Sequence, residues 1–455
     1  MQRASLSTSV NQHYLNKLMS LTEVMDVAAS EDIIDIRGMK LVAKGARLTR
    51  AQQDTLGAHK LKKTLESSLS AEGGADTGLI VEMATRILDS SVPIRRILGS
   101  SAGRGASPLA LLANMKFGHA MRMMLTLTDR DGPQALEHSV TVSLLSIGMA
   151  KKLALSNDEQ LAAAVAGMLH DIGELYIDPA YLEPGKRLLP HEWAHLVVHP
   201  RIGQMLITEL EAYPPSVARA VSEHHERLDG TGYPRQSAGG LISGAGLAVS
   251  VAEMIAGVLH KDYPLERAEL ALKIIPGEHP HHLLSAISGA LRNQPANHPV
   301  TPPKPEESDD AAIAQLWQRI GASLQAGEQL LHGKNPSSAR ATALVERALA
   351  RIRTIERAFF STGLDAYMQN NHGLHDQGDG ALEFEKVVAT REITWRLRDI
   401  ARDLALNTAD APGERDQLAA LIGMLDNGIG GAAVAPAPQP LMPALQPPLR
   451  IVRAV

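Results

Sequence analysis

The sequence contains no cysteine among its 455 residues. Disulfides, iron–sulfur clusters, thiolate zinc sites and a thiol nucleophile are therefore excluded. Any bound metal must be held by histidine and carboxylate side chains. Aromatic residues make up only 3% of the chain, and the formal net charge is −5. Both values argue against a base-stacking platform or a non-specific electrostatic contact with DNA or RNA, so we expect no nucleic-acid polymer as a partner.

Long uncharged apolar runs are also missing. The best candidate for a membrane span, residues 241–259, carries Glu253 and three glycines, whereas a spanning helix needs about 20 residues with almost no charge. We predict that this run is a buried core helix. The N-terminus leads into polar sequence without the apolar stretch of a signal peptide. We expect a cytoplasmic protein without a membrane span.

Apolar residues recur at intervals of three and four along most of the chain, which predicts a mainly all-α fold. Two short β-type runs, residues 33–36 and 40–43, predict a small N-terminal β-hairpin. Helices are predicted over 49–67, 140–153, 159–169, 190–210, 215–223, 244–260 and 265–275. The predicted segments are a small N-terminal α/β unit (1–75), connecting helices (78–130), a helical domain (131–293), a Pro-rich and acidic linker (294–310), a C-terminal helical region (311–426) and a disordered Pro- and Ala-rich tail (427–455).

The C-terminal region contains one pronounced amphipathic pattern. Its apolar stripe, which predicts a core-facing surface, consists of Leu344, Ala348, Ile352, Ile355 and Phe359. Four arginines with interleaved glutamates are interpreted as its solvated face. These are Arg347, Arg351, Arg353 and Arg357.

Histidine is concentrated in one part of the sequence, where seven of the 18 residues fall between 138 and 225. His170 and Asp171 follow an apolar helix pattern and precede Ile172-Gly173, which places an imidazole and a carboxylate at a helix end. His224-His225-Glu226 closes the next pattern and runs into the turn-rich stretch 229–234. Helix ends that bring nitrogen and oxygen ligands toward one point are suited to a di-metal site that acts on a phosphoryl group.

The order and spacing of these motifs resemble the HD-GYP family, a branch of the HD-domain metal-dependent phosphohydrolases. The resemblance covers about residues 131–270. It rests on His138, His170-Asp171-Ile172-Gly173, His199-x-x-x-Gly203, His224-His225-Glu226 and Asp229-Gly230-x-Gly232-Tyr233-Pro234. It implies an HD-type helical bundle, a centre of two or three iron, manganese or magnesium ions, and hydrolysis of cyclic di-GMP to pGpG or GMP in bacterial signalling.

Carried onto this chain, the resemblance assigns a metal-ligand role to seven residues. They are His138, His170, Asp171 as the carboxylate that bridges two metals, His199, His224, His225 and Glu253, which stands where the family has an Asp. We further predict that Asp171 and Glu174 are catalytic. The expected substrate-binding residues are Gly232, Tyr233 and Pro234.

Besides Glu253, several positions depart from the family pattern, including Glu174, Leu247 and Gln134. Glu174 stands where the family keeps a lysine suited to phosphate, and Leu247 stands where it has an arginine. Gln134 replaces a carboxylate that supports a third metal. Loss of cations next to a phosphodiester should weaken substrate binding.

Three functions remain open at this point. The leading one is a metal-dependent phosphodiesterase acting on cyclic di-GMP. The second is a degenerate module that binds a nucleotide or a signalling protein without turnover, with the C-terminal helices as the contact surface. The third is an HD phosphohydrolase acting on another nucleotide, which the intact Gly232-Tyr233-Pro234 sequence disfavours.

Overall fold

The computed structural model contains two compact units. The first is built from residues 1–186, 195–262 and 277–294, and the second from residues 187–194, 263–276 and 295–455. The ranges described below are 9–99, 106–132, 134–183, 186–210, 213–259, 277–292, 310–333, 338–361 and 380–427.

Helices dominate the described residues, which confirms the predicted mainly all-α class. In chain order they are α1 (Gln12–Thr22), α2 (Gln53–Ala58), α3 (Thr77–Ser90), α4 (Val92–Gly99), α5 (Pro108–Ala113), α6 (His119–Asp131), α7 (Ala135–Lys152), α8 (Asn157–Leu169), α9 (Pro190–Leu196), α10 (His199–Leu210), α11 (Pro215–Glu223), α12 (Gly244–Leu259), α13 (His281–Arg292), α14 (Asp310–His332), α15 (Ala339–Ser361), α16 (Gly380–Asn407) and α17 (Pro412–Asn427).

The N-terminal part of the first unit carries two small antiparallel sheets. Strand β2 (Ile33–Ile34) pairs with β3 (Lys40–Val42), which confirms the predicted hairpin. Strand β1 (Val27–Ala29) pairs with β4 (Leu69–Ala71). The predicted helix over 49–67 is wrong beyond Ala58, because Lys60 and Leu61 form β-bridges to Ser9 and Asp35 instead.

Helix α7 is the centre of the first unit, since 13 of its 18 residues are buried. It packs against α8 and α12, and these three helices with α11 surround the buried core. Small residues let α7 and α8 approach closely: a Cβ on Gly167 of α8 would lie 3.0 Å from the Cα of Ser143 in α7. This close approach brings the end of α8 next to the first turn of α7.

Helix α12 confirms the predicted buried core helix for residues 244–259, whereas Leu241 precedes it and is 69% exposed. Ala248, Val249, Val251 and Ala252 are fully buried within the unit. Among the described residues, the helices are too short or too polar to cross a bilayer.

The single helix predicted over 190–210 is wrong, because the structure divides it into α9 and α10 with a turn at Val197–Val198. Proline is favoured in the first turn of a helix, where its missing N–H needs no partner. Pro200 occupies that position in α10. The break puts His199 at the start of a helix rather than in its middle.

The second unit is a bundle of α14, α15, α16 and α17. All five residues of the predicted apolar stripe on α15 are buried in its core. Arg351, which was predicted to be solvated, is only 7% exposed. It forms an ion pair of 2.6 Å with Asp399 on α16. A single-helix pattern cannot reveal that the facing helix supplies a buried carboxylate.

Residues 187–194 belong to this second unit although they lie between α8 and α10 in sequence. Arg187 forms an ion pair of 2.6 Å with Asp426 on α17. The guanidinium of Arg402 lies 4.6 Å from the ring centre of Trp193.

Several sequence predictions lie outside the described residues. They are the helix at 265–275, almost all of the linker at 294–310 and the tail after Asn427. The predicted domain boundaries stay predictions.

Candidate metal centre

The predicted ligands come from the ends and inner faces of four packed helices and one helix start. His170 and Asp171 directly follow α8, and His224 and His225 directly follow α11, as the sequence predicted. The remaining three lie on α7 (His138), at the first position of α10 (His199) and on α12 (Glu253).

The first group of ligands surrounds the Nε2 atom of His170. This atom lies 2.8 Å from Oδ2 of Asp171 and 3.3 Å from Oε2 of Glu253. The same oxygen of Glu253 lies 2.9 Å from Nε2 of His138. Three imidazole or carboxylate donors of this group, those of His138, His170 and Asp171, lie within 4.8 Å of one another.

The second group lies on the other side of Asp171. The Oδ1 atom of Asp171 is 3.3 Å from Nε2 of His199 and 3.5 Å from Nε2 of His224. His225 completes a set in which one donor atom of each residue lies within 4.8 Å of the others. The carboxylate of Asp171 therefore offers one oxygen to each group.

The hydrogen bonds of three imidazoles determine which nitrogen is free. The Nδ1 atoms of His170, His199 and His224 lie 2.8, 2.8 and 2.6 Å from the backbone carbonyls of Gly167, Leu196 and Val221. Since a carbonyl only accepts, each Nδ1 carries the proton and each Nε2 keeps a lone pair when the ring is neutral. This arrangement is usual for histidines that bind metals through Nε2.

The donor set fits divalent metal ions. Nε2 of His170 and Oε2 of Glu253 are buried and lack a properly oriented hydrogen bond among the described residues. Histidine and carboxylate donors without thiolates suit iron, manganese and similar ions. The seven residues therefore form two donor groups that could hold divalent ions, with Asp171 adjoining both groups.

The charges of the site favour a bound cation. Burial alone would lower the pKa of His170, but Asp171 and Glu253 outweigh it and raise this pKa well above its usual value. Burial is likewise outweighed by Asp171 at His199, whose pKa is raised. Burial keeps the pKa of His225 well below its usual value. The two half-buried carboxylates of Asp171 and Glu253 thus need positive charge, which either protons or metal ions can supply.

The Gly-Tyr-Pro loop folds back onto the second group. The backbone N–H of Tyr233 donates to the carbonyl of His225 at 3.1 Å, and its ring stacks on the imidazole of His225 with centroids 4.6 Å apart. Position 232 must be glycine, because a Cβ there would overlap the backbone of His225 and Arg227. Tyr233 forms a wall of the site beside the imidazoles.

Residues 122–275 match the family model described as the HD domain. We refer to this matched part of the chain as the HD domain. All seven predicted ligands of the HD domain lie within the matched range.

The chain is similar to curated phosphodiesterases. It is 33% identical over 117 residues to 3'3'-cGAMP-specific phosphodiesterase 3 of Vibrio cholerae, covering 26% of this chain and 25% of that protein. It is 39% identical over 98 residues to cyclic di-GMP phosphodiesterase PA4108 of Pseudomonas aeruginosa, covering 21% and 23%. The chain thus matches about a quarter of the length of each of these relatives.

One solved structure aligns with a larger share of the chain. Bd1817, a HDG"Y"P protein from Bdellovibrio bacteriovorus, covers 59% of this chain at 15% identity, with 94% of its own chain aligned and a TM-score of 0.33. A score this low carries no weight for the function of the HD domain.

Three residues that depart from the family pattern, Glu174, Leu247 and Gln134, can be placed in the structure of the HD domain. Glu174 lies in the 3-10 helix Ile172–Tyr176 that begins directly after Asp171. Burial, followed by the charge of Asp171, raises the pKa of Glu174 to about 7. Leu247 lies in the first turns of α12, and Gln134 caps the N-terminus of α7 on the exposed surface.

Two glutamates to which the sequence analysis assigned no role, Glu223 and Glu226, hold the HD domain together around the site. Glu226 is fully buried and accepts hydrogen bonds from the backbone N–H groups of Arg235 at 2.7 Å and Ser237 at 2.8 Å. Glu223 accepts from the backbone N–H of Ser243 at 2.9 Å, which ties α11 to the start of α12. The only available signal was an acidic residue at the end of an apolar helix pattern.

Proposed function

We propose that the HD domain is a metal-dependent phosphodiesterase that hydrolyses cyclic di-GMP to pGpG or GMP. The observation that carries this proposal is the position of Asp171, whose two carboxylate oxygens face different groups of histidines. A bridging carboxylate between two clusters of imidazoles is the arrangement that a two-metal hydrolase needs. The names of the curated relatives support the substrate class.

Each ligand has a definite part in this proposal. His138, His170 and Glu253 would hold one ion and His199, His224 and His225 the other, with Asp171 available to both groups. Bound iron, manganese or magnesium ions supply positive charge to the phosphoryl oxygens and lower the pKa of water. A third ion has no carboxylate at Gln134 to support it.

The reaction is a displacement at phosphorus. Water attacks the phosphorus atom, the bond to the ribose 3'-oxygen breaks, and this oxygen takes up a proton. Gly232, Tyr233 and Pro234 form the wall against which the dinucleotide binds, and the hydroxyl of the half-buried Tyr233 stays protonated because loss of solvent raises its pKa.

Glu174 is proposed as an additional acidic residue of the reaction centre. It stands where the family has a lysine. A carboxylate at this position contributes negative charge and can bind a metal ion or a proton, but it cannot contact phosphate as a lysine does. We expect Glu174→Gln to lower kcat about tenfold or more with little change in KM, and Glu174→Lys to abolish turnover.

The decisive test is turnover by the full chain, purified without oxygen and supplied with Mn²⁺ or Fe²⁺. We expect linear pGpG as a product and its loss in Asp171→Asn, which keeps the shape of the side chain but removes its charge. His195→Ala is the matched control, since His195 is exposed and stacks on Tyr181. Full activity of Asp171→Asn would show that the assignment is wrong.

A second candidate is a module that binds the dinucleotide without hydrolysing it. Glu174 and Leu247, at the positions of two family cations, favour it. Metal-loaded protein that binds cyclic di-GMP without forming product would support it, and a gain of turnover in Glu174→Lys would establish that the missing cation is the cause.

A third candidate is a related cyclic dinucleotide as substrate, which the names of the Vibrio cholerae relatives suggest. A parallel assay with 3'3'-cGAMP distinguishes it. The predicted cytoplasmic location and the predicted protein partner of the C-terminal helices stay predictions.

A further inference from the structure

Tyr176 connects the metal centre to the N-terminal part of the first unit. It is the last residue of the 3-10 helix that begins directly after Asp171. Its ring stacks on that of Tyr14 in α1, with centroids 5.1 Å apart and planes at 16°. Its hydroxyl donates a hydrogen bond to the carboxylate of Glu66, and its carbonyl accepts one of 3.3 Å from Nδ2 of Asn11.

The opposite side of the same short helix lies against α10. A Cβ on Gly173 would overlap the backbone carbonyl of His199, so the two backbones touch without an intervening side chain. The helix Ile172–Tyr176 is therefore held between the residue that starts α10 and the N-terminal contacts of Tyr176. Asp171 and Glu174 belong to the segment held in this way.

The residues that contact Tyr176 carry polar groups although they are buried. Glu66 and Tyr14 are buried, and the hydroxyl of Tyr14 lacks a hydrogen-bond partner among the described residues. Burial raises the pKa of Glu66 and, with Glu66, that of Tyr176, so Tyr176 remains an O–H donor. Burying a carboxyl is costly unless it is hydrogen-bonded, and Tyr176 supplies that bond.

We infer that Tyr176 and Glu66 are positioning residues for the metal centre: their hydrogen bond fixes the helix Ile172–Tyr176 and thereby the direction of Asp171. This inference rests on the proposed function, since it assigns the N-terminal unit a role in holding the bridging ligand. Tyr176 acts through Asp171 and does not itself touch the reacting atoms.

The test compares Tyr176→Phe with Tyr213→Phe in the full chain. Both variants remove one tyrosine hydroxyl from the first unit, but the hydroxyl of Tyr213 donates to the carbonyl of Lys116, away from the ligands. The first measurement is hydrogen exchange of the peptide that covers residues 170–177, where the amides of Glu174 and Ile177 are bonded within the turn. The second is the affinity of metal-stripped protein for Mn²⁺, and the third is kcat and KM.

For Tyr176→Phe we expect faster exchange in this peptide, Mn²⁺ affinity lowered about tenfold, and a lower kcat at unchanged KM. Tyr213→Phe should match the wild type in all three. Glu66→Gln keeps an oxygen acceptor for the hydroxyl of Tyr176, whereas Glu66→Leu does not. The exchange rate, Mn²⁺ affinity and kcat of Glu66→Gln should therefore lie closer to the wild-type values than those of Glu66→Leu. General loosening of the fold would not produce this difference.

Two failures can be told apart. A wild-type protein that binds no Mn²⁺ overturns the proposed metal centre. A wild-type protein that binds Mn²⁺, together with a Tyr176→Phe variant whose exchange or Mn²⁺ affinity equals that of Tyr213→Phe, overturns only the positioning role.

Discussion

The Nε2 atoms of His199 and His224 lie 3.1 Å apart. Each ring has its Nδ1 atom against a backbone carbonyl, so neutral rings would turn two lone pairs toward each other. This contact is repulsive unless a proton or a metal ion lies between the two nitrogens. Two nitrogens bound to one ion at about 2.1 Å and roughly a right angle are separated by about 3 Å, which matches the observed distance.

Metal binding should therefore stabilise the first unit. Saturating Mn²⁺ at about 100 times its Kd adds about 2.7 kcal/mol to the free energy of unfolding. We expect calorimetry to show a higher unfolding temperature with Mn²⁺ and a lower one after chelation. His199→Ala should reduce this difference, whereas His195→Ala should retain it. An equal rise in both variants would contradict binding at this site.

Metal binding should also release protons. The raised pKa values of His170 and His199 keep these rings protonated as pH rises past about 6.5, the usual histidine value. Because binding needs neutral imidazoles, Mn²⁺ affinity should increase as pH rises through these pKa values. In the metal-free protein the same two groups stabilise the fold below about pH 6.5, and this contribution is lost as pH rises through their raised values.

Titration calorimetry at pH 7 in buffers of different ionisation enthalpy measures the protons released. We expect about one or two per molecule at pH 7 and fewer at pH 9. Binding enthalpies that do not depend on the buffer at pH 7 would be inconsistent with protonated ligands.

Substitution of Gly232 should damage the site without removing a ligand. The added Cβ of Gly232→Ala overlaps the backbone of His225 and Arg227, so the loop must shift and carry the ring of Tyr233 away from His225. We expect kcat/KM to fall about a hundredfold or more, as for small displacements of catalytic groups. Gly240→Ala is the control, since nothing lies within 4 Å of its added Cβ, and it should retain full activity.

The second unit should depend on the buried pair of Arg351 and Asp399. Removing one partner of a buried ion pair costs about 3–5 kcal/mol, because the remaining buried charge loses its counter-ion. We expect Arg351→Ala to lower the unfolding free energy of this unit by that amount in urea titrations. Arg353→Ala breaks only an exposed pair with Glu328 and should cost about 1 kcal/mol or less. Equal losses in the two variants would show that burial of the pair is unimportant.

The helix ends at His170 and His224 were predictable from sequence, because the apolar patterns of α8 and α11 stop there and local chain geometry decides where a helix ends. The β-hairpin at Ile33–Val42 was predictable for the same reason. The break at Val197–Val198 was missed, since apolar spacing continued across it and only the proline at position 200 marked the new helix.

The tertiary structure decided the contacts between residues that are far apart in sequence, because the spacing of residues along the chain does not encode them. Arg351 was predicted to be solvated because the facing Asp399 lies 48 residues away on another helix. Glu226 fixes the loop that follows α11 only because the chain folds back and the backbone N–H groups of Arg235 and Ser237 donate to its carboxylate. The proposed ligands were predicted from the resemblance of the ordered motifs to the HD-GYP family, and the absence of cysteine limits the side-chain donors to nitrogen and oxygen. Which oxygen of Asp171 faces which histidine depends on how α7, α8, α11 and α12 pack, because these distances join residues as far apart in sequence as His138 and Glu253.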